Sequence, residues 1–427
     1  MIIIIFILIE FMCGLFLPKN NSSEVFSIIC IFLNSIVVFF FIEKSFKREY
    51  KFIVLLGYFL RIILLFADYY KWFPILHSGG DSEDFHQTAL KIMQYGFQRT
   101  FIYSNYEYFT GLIYLLIGPQ RFFLQYINVL FGMGTLYYIY YTFQLLNLSK
   151  KTTRLFFIIS CLMPQLIIFS GILLRESILI YATSASAYFF VKWILKNNTY
   201  HFLFSVCFIL IATWLHSGMI GVLIGYLIAS ISYDRKEKKI KFSYRSVIPL
   251  FLCLFFIIYL VNKGIFTTYF NSTFDNDRGM TSAILEKANG VSYAGSRYLT
   301  WINVDSPTQL LLFSPLKMFY FLFSPIPFDW RSVSDIVAFF LDSVFLLYFT
   351  FLIFSGAKLI TSSIKKNVFI FLLISFLFTV FIYGYGTYAS GTAMRHRTNI
   401  FPILVTCAAI AYDYKLQYHK LLKTKLL

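Results

Sequence analysis

Charged residues are scarce in this chain. Only 13% of its 427 residues are Asp, Glu, Lys or Arg, whereas 59% are hydrophobic. A soluble domain carries about 25% charged residues. The composition therefore excludes an ordinary water-soluble fold and is typical of helices that face lipid.

Several motifs are also missing. The six cysteines lie in apolar segments, and no CxxC or Cys/His spacing indicates a disulfide framework or a zinc site. No GxxxxGK[ST] run is present to cradle a nucleotide phosphate. The apolar run 1–17 has neither the basic start nor the small-residue cleavage site of a signal peptide, so we interpret it as a retained span. No internal repeat is evident.

The apolar segments predict an all-α fold, a polytopic transmembrane helical bundle that forms a single integral membrane domain over residues 1–427. One helical crossing takes about 20 apolar residues, which divides the chain into about 12 spans. The spans are expected near residues 1–17, 24–42, 52–68, 120–146, 154–172, 177–195, 201–215, 217–233, 246–262, 332–355, 367–384 and 399–414.

The basic residues predict the orientation of these spans. The net charge is +17, and the Lys and Arg residues cluster in the loops 43–51, 150–154, 234–245 and 358–366 and in the tail 415–425. By the positive-inside rule these segments are cytoplasmic, as are both termini. The rule explains the excess of basic residues without a nucleic-acid partner. The protein is expected to be surrounded by the lipid bilayer.

Two long loops are then expected on the extracytoplasmic side. The first, 69–119, contains an acidic run and an amphipathic stretch at 89–95. The second, 263–331, contains the semi-apolar piece 310–323, which cannot cross without breaking the charge pattern. We interpret this piece as a re-entrant or interfacial helix that ends at the Pro-containing segment 324–330.

The acidic run in the first loop follows Gly79 and Gly80 and precedes the predicted amphipathic helix. In one interpretation its carboxylates only cap that helix, whose dipole favours negative charge at the N-terminus. In the other, Asp81 or Asp84 is a general base and His86 is its partner at the substrate. A single Asp-x-x-Asp is a weak signal for a divalent cation, so no metal site is assigned.

Arginines on the predicted outer side are the candidates for binding phosphate, because a guanidinium gives bidentate hydrogen bonds to phosphate oxygens. The alternative is that they anchor the protein to lipid headgroups or extend along the interface. The candidates are Arg175, Arg297, Arg331, Arg395 and Arg397.

Two histidines are candidates for acid–base chemistry. His216 lies between two short apolar segments, and His396 lies between Arg395 and Arg397. Histidine can transfer protons near neutral pH. A histidine between membrane helices can equally serve only as an interhelical hydrogen-bonding group.

The order of these motifs along the chain resembles that of a known protein family. Arg175-Glu176, then Trp214-Leu-His216-Ser217-Gly218, then a long outer loop and an outer Arg-rich stretch resemble the Wzy-type polysaccharide polymerases and, more widely, the GT-C glycosyltransferases and O-antigen ligases. The resemblance implies a multi-pass enzyme of the bacterial plasma membrane. Such an enzyme joins oligosaccharide repeat units linked to undecaprenyl pyrophosphate into capsular or O-antigen-type polysaccharide at the outer face.

The resemblance also implies roles for individual residues. Arg175, His216, Arg395 and Arg397 would hold or activate the donor pyrophosphate, and Asp81 or Asp84 would match the first-loop carboxylate of the GT-C enzymes. In those enzymes that carboxylate follows the first span, whereas here it follows the third. No cofactor is expected, and the implied partners are a chain-length regulator and a flippase of the same pathway.

Three alternatives stay open. The chain could be a GT-C enzyme that moves one sugar from a polyprenyl phosphate, with greater dependence on Asp81 and Asp84. It could be a flippase for lipid-linked oligosaccharides, which the intramembrane cation Arg61 favours. It could also be a sensor or a structural membrane protein.

Overall fold

The structure is a computed structural model that describes residues 23–98, 100–102, 104–234, 239–240 and 296–426. The described chain is about 81% helical, which confirms the all-α class. A pair of antiparallel two-residue strands, β1 (Tyr233–Asp234) and β2 (Lys239–Ile240), is also present. The predicted spans at 1–17 and 246–262 lie outside the described residues.

We number the α-helices in chain order within the described residues. They are α1 (Ser23–Ser45), α2 (Arg48–Tyr69), α3 (Gly80–Tyr95), α4 (Asn105–Ile117), α5 (Arg121–Leu145), α6 (Lys150–Leu162), α7 (Pro164–Gly171), α8 (Glu176–Lys196), α9 (Thr199–Leu215), α10 (Ile220–Ser232), α11 (Pro307–Phe323), α12 (Val333–Ala338), α13 (Val344–Gly356), α14 (Ser363–Gly386), α15 (Ser390–Thr398) and α16 (Phe401–Leu426).

Six of the described helical segments are long and apolar enough to cross a membrane, or seven if the pair α6 and α7, bent by 40°, forms one span. The six segments are Ile28–Ser45, Arg48–Tyr69, Arg121–Leu145, Glu176–Lys196, Val333–Leu359 and Ser363–Gly386. Helices α9 and α11 are apolar but shorter, and so is the segment Ser217–Ser232, which includes α10. The protein is thus an all-α membrane protein, and the total of about 12 spans stays a prediction.

Large apolar side chains on the first two helices point away from the protein. The exposed fractions of Phe32, Phe40 and Phe52 are 68%, 64% and 76%. Exposed phenylalanines at this density would be a liability in water, whereas they fit a surface that faces hydrocarbon chains.

The described chain divides into two compact units. The first consists of Met1–Tyr138 and Phe157–Tyr181, and the second of Ile139–Phe156 and Ala182–Leu427. No feature of the sequence indicated this division.

In the first unit, the predicted loop 69–119 is largely helical. Helix α3 begins at Gly80, so the acidic run lies in its first turns and does not precede the helix as predicted. Helix α4 was not predicted. It begins where the Glu107 carboxylate accepts a hydrogen bond from the Ser104 backbone N–H (2.7 Å), and it packs on α3 where Gly111 meets Ile92.

In the second unit, α10 and α14 pack closely along a row of small residues. Gly218, Gly221 and Gly225 lie against Tyr383, Thr379 and Ser375, respectively. A Cβ on Gly221 would lie only 2.5 Å from the Thr379 backbone nitrogen, so a larger residue cannot be accommodated there. Small residues let the backbones of membrane helices approach, and this packing brings the end of α14 to the residues that precede α10.

Helix α16 is buried along its first half, where Leu404, Val405 and Ala408 are at most 2% exposed. Further along it, the buried Asp413 carboxylate accepts hydrogen bonds from the Ser149 backbone N–H (3.0 Å) and the Thr152 hydroxyl (2.8 Å). These contacts satisfy donors at the start of α6 and attach that helix end to α16.

The piece predicted as a re-entrant or interfacial helix, 310–323, corresponds to α11, which ends at Phe323 before the predicted Pro-containing segment. A short 3₁₀ turn, Pro327–Asp329, follows. Helices α12 and α13 are joined by a π-helical turn, Phe339–Ser343, which directs the buried Asp342 inward. Residues 263–295 of the predicted second loop lie outside the described residues.

Candidate functional site

Two histidines that the sequence nominated separately meet in the second unit. The Nε2 atoms of His216 and His396 are 3.1 Å apart although the residues are 180 positions apart in the chain. His216 lies between α9 and the 3₁₀ turn Ser217–Met219, and His396 lies in α15. The close packing of α10 on α14 places both rings against Tyr383, with ring centroids 5.0 and 4.8 Å away.

The partners of the two rings define one consistent proton arrangement. The Gly218 backbone N–H donates to His216 Nδ1 at 3.2 Å, so the proton of a neutral His216 is on Nε2 and points at His396. The His396 Nε2 is then the acceptor, and its Nδ1–H donates to the Thr387 Oγ1 at 3.3 Å. The Thr387 hydroxyl hydrogen is left to donate to another group.

Thr387 lines a groove that is also lined by Arg297, Asn303, Lys317 and Tyr388. We call it the lysine groove. It therefore combines the hydroxyl that receives the hydrogen bond from His396 with two cationic side chains. Preorganised donors of this kind stabilise a negative charge that grows on a bound group.

The backbone of residues 296–298 holds Arg297 in this groove. Tyr298 N–H donates to the Tyr388 carbonyl (2.9 Å), and Ser390 N–H donates to the Ser296 carbonyl (3.1 Å). These bonds form an isolated antiparallel bridge between Arg297 and Ala389. The arginine is thereby fixed beside the start of α15.

A second cavity shares Arg297 and Tyr298 with the lysine groove. Its other lining residues include Ser324, Asp329 and Asp335. We call it the aspartate cavity. Burial raises the pKa of Asp329, and the neighbouring Asp335 adds to this, while Arg331 opposes it.

Arg397 forms contacts within the protein, whereas the sequence predicted that it binds phosphate. It is 1% exposed and forms a buried ion pair with Asp342, in which Nε donates at 2.6 Å and Nη2 also contacts the carboxylate. Its remaining N–H groups donate to the carbonyls of Phe321 (3.1 Å) and Leu322 (2.8 Å) and to the Ser343 hydroxyl (3.0 Å).

A guanidinium has five N–H donors, and these contacts engage all of them. Arg397 is therefore not available to bind a pyrophosphate in this structure. It instead joins α15 to the end of α11 and to the π-helical turn before α13.

The other two arginine candidates of the second unit are more accessible. Arg395 is half-buried on α15, and Arg331 is exposed. The Arg331 guanidinium donates to the Arg297 carbonyl, and its backbone N–H donates to Asp335 at 3.0 Å. Arg331 thus supports the segment that carries Arg297.

The acidic run belongs to the first unit. Asp81 and Asp84 are exposed on the first turns of α3. Glu83, in the same run, forms an ion pair with Arg121, in which its carboxylate lies 2.6 Å from the guanidinium. Arg121 also lies 3.5 Å from the buried Asp68, so it connects the start of α5 with α2 and α3. Hydrogen bonding from Gln87 and the charge of Arg121 lower the pKa of Glu83 against the opposing effect of burial.

His86 lies one turn from Glu83 and is half-buried. Its Nδ1 is 2.7 Å from the Tyr114 hydroxyl on α4. Burial lowers the pKa of His86, and the nearby Arg121 lowers it further, while Glu83 opposes both effects. This residue therefore links α3 to α4, and its predicted role at the substrate is not reflected in these contacts.

Arg175 precedes α8 in the first unit and is half-buried. Asn128 of α5 donates to the carbonyls of Ile172 and Leu174, both at 2.9 Å, which fixes the turn that delivers Arg175. The Arg175 Nε lies 4.0 Å from the carboxylate of the fully buried Glu176.

Some residues of these arrangements were not nominated from the sequence. They are Asp342, Tyr383, Thr387, Lys317, Asp329 and Arg121. Asp342 carried a usable signal, since a carboxylate within an apolar run is costly and marks a partner elsewhere in the protein. Thr387 and Lys317 carried none, because only the tertiary packing brings them into the groove.

Within the described ranges, no three His, Cys, Asp or Glu side chains are close enough to hold a metal ion. Comparisons with protein-family models, with curated proteins and with solved structures found no match to this chain.

Proposed function

We propose that the protein is a glycosyltransferase that polymerises lipid-linked oligosaccharide repeat units into a cell-surface polysaccharide at the outer face of a bacterial plasma membrane. The observation that carries the proposal is the contact between His216 and His396, which connects through Thr387 to a groove with two cationic side chains. Of the arginines predicted to bind phosphate, Arg297 lines this groove, and the histidine pair reaches it through Thr387.

The reaction joins a hydroxyl oxygen of the acceptor to the anomeric carbon of the donor sugar. The bond between that carbon and the oxygen of the lipid pyrophosphate breaks, and the pyrophosphate leaves with the bonding electrons. The acceptor proton passes to a basic group or to solvent. Arg297, Lys317 and the Thr387 hydroxyl lie where they would offset the charge that grows on the leaving group.

The two histidines support this charge stabilisation by orienting the Thr387 hydroxyl. Because His396 donates to the Thr387 oxygen, the hydroxyl hydrogen is free to donate to a group bound in the groove that Thr387 lines. Removal of either ring allows the Thr387 hydroxyl to rotate and leaves the polar groups that contacted the ring without a partner. The proposed donor is a repeat unit on undecaprenyl pyrophosphate, and a lipid-linked repeat unit is the acceptor.

A genetic experiment tests the proposal. A strain without this gene is complemented with wild type, His216→Ala, His396→Ala or His419→Ala, and surface glycan length is scored on gels with membrane expression confirmed. His419 is exposed on α16 and serves as the matched control. Long chains are expected only with wild type and His419→Ala, and single repeat units with the other two.

Either of two results would contradict the proposal. Normal chain lengths with both His216→Ala and His396→Ala would remove its basis. A deletion strain whose repeat unit lacks one sugar would favour a GT-C enzyme that transfers a single sugar from a polyprenyl phosphate.

A flippase for lipid-linked oligosaccharides is the second candidate, and Arg61 favours it. This residue of α2 is 1% exposed, and its Nη1 donates to the Gly57 carbonyl (2.7 Å) and the Cys161 carbonyl (3.4 Å). Across the described residues, no carboxylate lies within ion-pair distance of it. A buried cation in an apolar span is a feature of transport pathways. Accumulation of lipid-linked units on the cytoplasmic face of the deletion strain would support this candidate.

A further inference from the structure

Helix α4, in the predicted first loop, has the opposite polarity to a helix that is surrounded by water. Its polar side chains Glu107 and Thr110 are buried. Its exposed side chains are leucines, with exposed fractions of 49% for Leu112, 39% for Leu115 and 40% for Leu116. A helix on the surface of a soluble domain has its apolar residues toward the core and its polar residues outside. The exposed face of α4 therefore fits an apolar surrounding.

The three leucines belong to one continuous stripe. Their spacing of three and four residues places them on one side of the helix, and the partly exposed Tyr108 and Phe109 extend that side toward the start of α4. We call these five residues the leucine stripe. The polar contacts of α4 lie on its other side, where the Tyr114 hydroxyl is 2.7 Å from His86 Nδ1 of α3.

Helix α3, which packs on α4, has an exposed face of the opposite kind. Between residues 81 and 94, its exposed residues recur every three or four positions, and all of them are polar or charged. They are Asp81, Asp84, Gln87, Lys91 and Gln94. The two helices together therefore have one face that suits water and one face that suits hydrocarbon.

Aromatic side chains lie next to both helices. Phe97, in the turn after α3, stacks on Tyr108 of the leucine stripe with ring centroids 5.7 Å apart. Trp72 and Phe73, in the segment between α2 and α3, are exposed. Exposed aromatic rings are typical of the headgroup region of a bilayer, where one part of the ring system is in lipid and the other is near water.

Contacts with α5 place the two helices level with the first turns of a spanning helix. The Glu83 carboxylate of α3 is 2.6 Å from Arg121, the first residue of α5. Tyr106, at the start of α4, lies near the Asn128 side chain, two turns further along α5, which is about 10 Å along the helix axis. Helix α4 therefore lies beside the first turns of a helix that crosses the membrane.

We propose that α3 and α4 form an interfacial helix pair, in which the leucine stripe inserts among the acyl chains of the leaflet at this end of α5 and the polar face of α3 lies in water. Interfacial helices bury their apolar face about 5–10 Å into the boundary between headgroups and acyl chains. Part of the predicted loop 69–119 is then bound to the membrane. This proposal does not depend on the proposed function.

The test measures which reagents reach spin labels on the full-length protein in vesicles of phosphatidylethanolamine and phosphatidylglycerol. Oxygen concentrates in hydrocarbon, whereas a nickel chelate stays in water. Single labels are attached to Leu112→Cys and Leu116→Cys in a chain whose six native cysteines are replaced by alanine. Asp84→Cys and Lys91→Cys on α3 are the water-facing controls, and Phe59→Cys on the exposed face of α2 is the lipid-facing control.

At Leu112 and Leu116, oxygen is expected to relax the label more than the nickel chelate does, as at Phe59. At Asp84 and Lys91 the order of the two reagents is expected to be reversed. Equal relaxation by nickel at Leu116 and Asp84 would overturn the proposal, because the leucine stripe then faces water. Relaxation by neither reagent at Leu112 and Leu116 would also overturn it, because a second copy or another part of the chain then covers the stripe.

If the chain without cysteines does not fold, as judged by size-exclusion chromatography, photo-crosslinking tests the same surface in the otherwise native chain. The photoreactive amino acid p-benzoyl-phenylalanine is incorporated in place of Leu116 or, as the control, in place of Lys91. After irradiation of the membranes, mass spectrometry is expected to find a phospholipid adduct at position 116 and none at position 91. Adducts with protein at position 116, or no phospholipid adduct there, would contradict the proposal.

Discussion

Arg397 and Asp342, 55 positions apart in the chain, form an ion pair in which both side chains are shielded from solvent. The arginine projects from α15 and the aspartate from the π-helical turn between α12 and α13. Because Arg397 also donates to the last carbonyls of α11, one side chain joins three segments around the histidine pair. Arg397 directly follows His396 in the chain, so its ion pair with Asp342 also helps to hold the His396 ring in place.

Replacement of Arg397 by Ala is expected to destabilise the protein strongly. It leaves the Asp342 carboxylate buried without its charge partner, which costs about 3–5 kcal/mol of unfolding free energy. The measurement is the midpoint of thermal unfolding in detergent. The double variant Arg397→Met/Asp342→Leu removes both charges and should unfold at a higher temperature than Arg397→Ala.

Lys358→Ala is the control for this prediction, since it removes an exposed cation of the same unit. Its unfolding midpoint should match that of wild type. An unchanged midpoint for Arg397→Ala would show that the ion pair contributes nothing to stability.

The two histidines are expected to act as one unit. His216→Ala and His396→Ala should each lower the rate of polymerisation by about 10²- to 10³-fold, the range for the loss of one preorganised hydrogen-bond donor, because each removes the orientation of the Thr387 hydroxyl. Because each ring acts through the other, the double variant should be no slower than the slower single variant. The measurement is the rate of repeat-unit incorporation by membranes that contain equal amounts of each variant. Effects that multiply in the double variant would mean that the rings work independently.

The packing of α10 on α14 is expected to control the distance between the histidines. Gly221→Ala puts a methyl group against the Thr379 backbone and should lower the free energy of unfolding by about 1–3 kcal/mol. It should also reduce polymerisation, because α10 can no longer hold His216 beside His396. Gly384→Ala on α14 is the matched control, since its new Cβ would meet Met318 at an ordinary contact distance of 3.4 Å. Full stability and activity of Gly221→Ala would contradict the role of this contact.

The lowered pKa of His86 predicts that the protein becomes less stable in mild acid. Its pKa is lowered in the folded protein, chiefly by burial, so the unfolded chain binds the proton more readily. The stabilisation from the neutral ring is complete above the unfolded pKa of about 6.5 and is lost as the pH falls through the lower, folded value. The measurement is the unfolding midpoint between neutral pH and about pH 5.

His86→Gln should show a smaller decrease over this pH range than wild type, because its side chain does not titrate. His419→Gln, at an exposed position, is the control and should retain the wild-type decrease. Equal decreases for His86→Gln and wild type would show that another group causes the acid sensitivity.

Helix positions were predictable because the length of an apolar run fixes a crossing segment. The span expected near 52–68 is α2, and the span near 177–195 is α8. Helix α4 was missed although Ser104 and Glu107 have the spacing of a helix start. The length of apolar runs predicted no span here, because this 13-residue helix is shorter than one crossing.

The candidate site was predictable only residue by residue. Residue type and position nominated His216 and His396, but their contact depends on the glycines of α10 and could not be inferred from the local sequence. For Arg397, the chemistry of a guanidinium suggested a phosphate ligand. In the structure the guanidinium binds the buried Asp342 carboxylate instead, and this pairing can be identified only from the fold.

The most direct test of the proposed polymerase is to reconstitute the purified protein in lipid vesicles with repeat units linked to undecaprenyl pyrophosphate. Wild type is expected to give a ladder of lengthening glycans, with release of undecaprenyl pyrophosphate at each step, and His216→Ala and His396→Ala are expected to give none. Movement of the lipid-linked units across the bilayer without any lengthening, at equal rates in wild type and both variants, would contradict it.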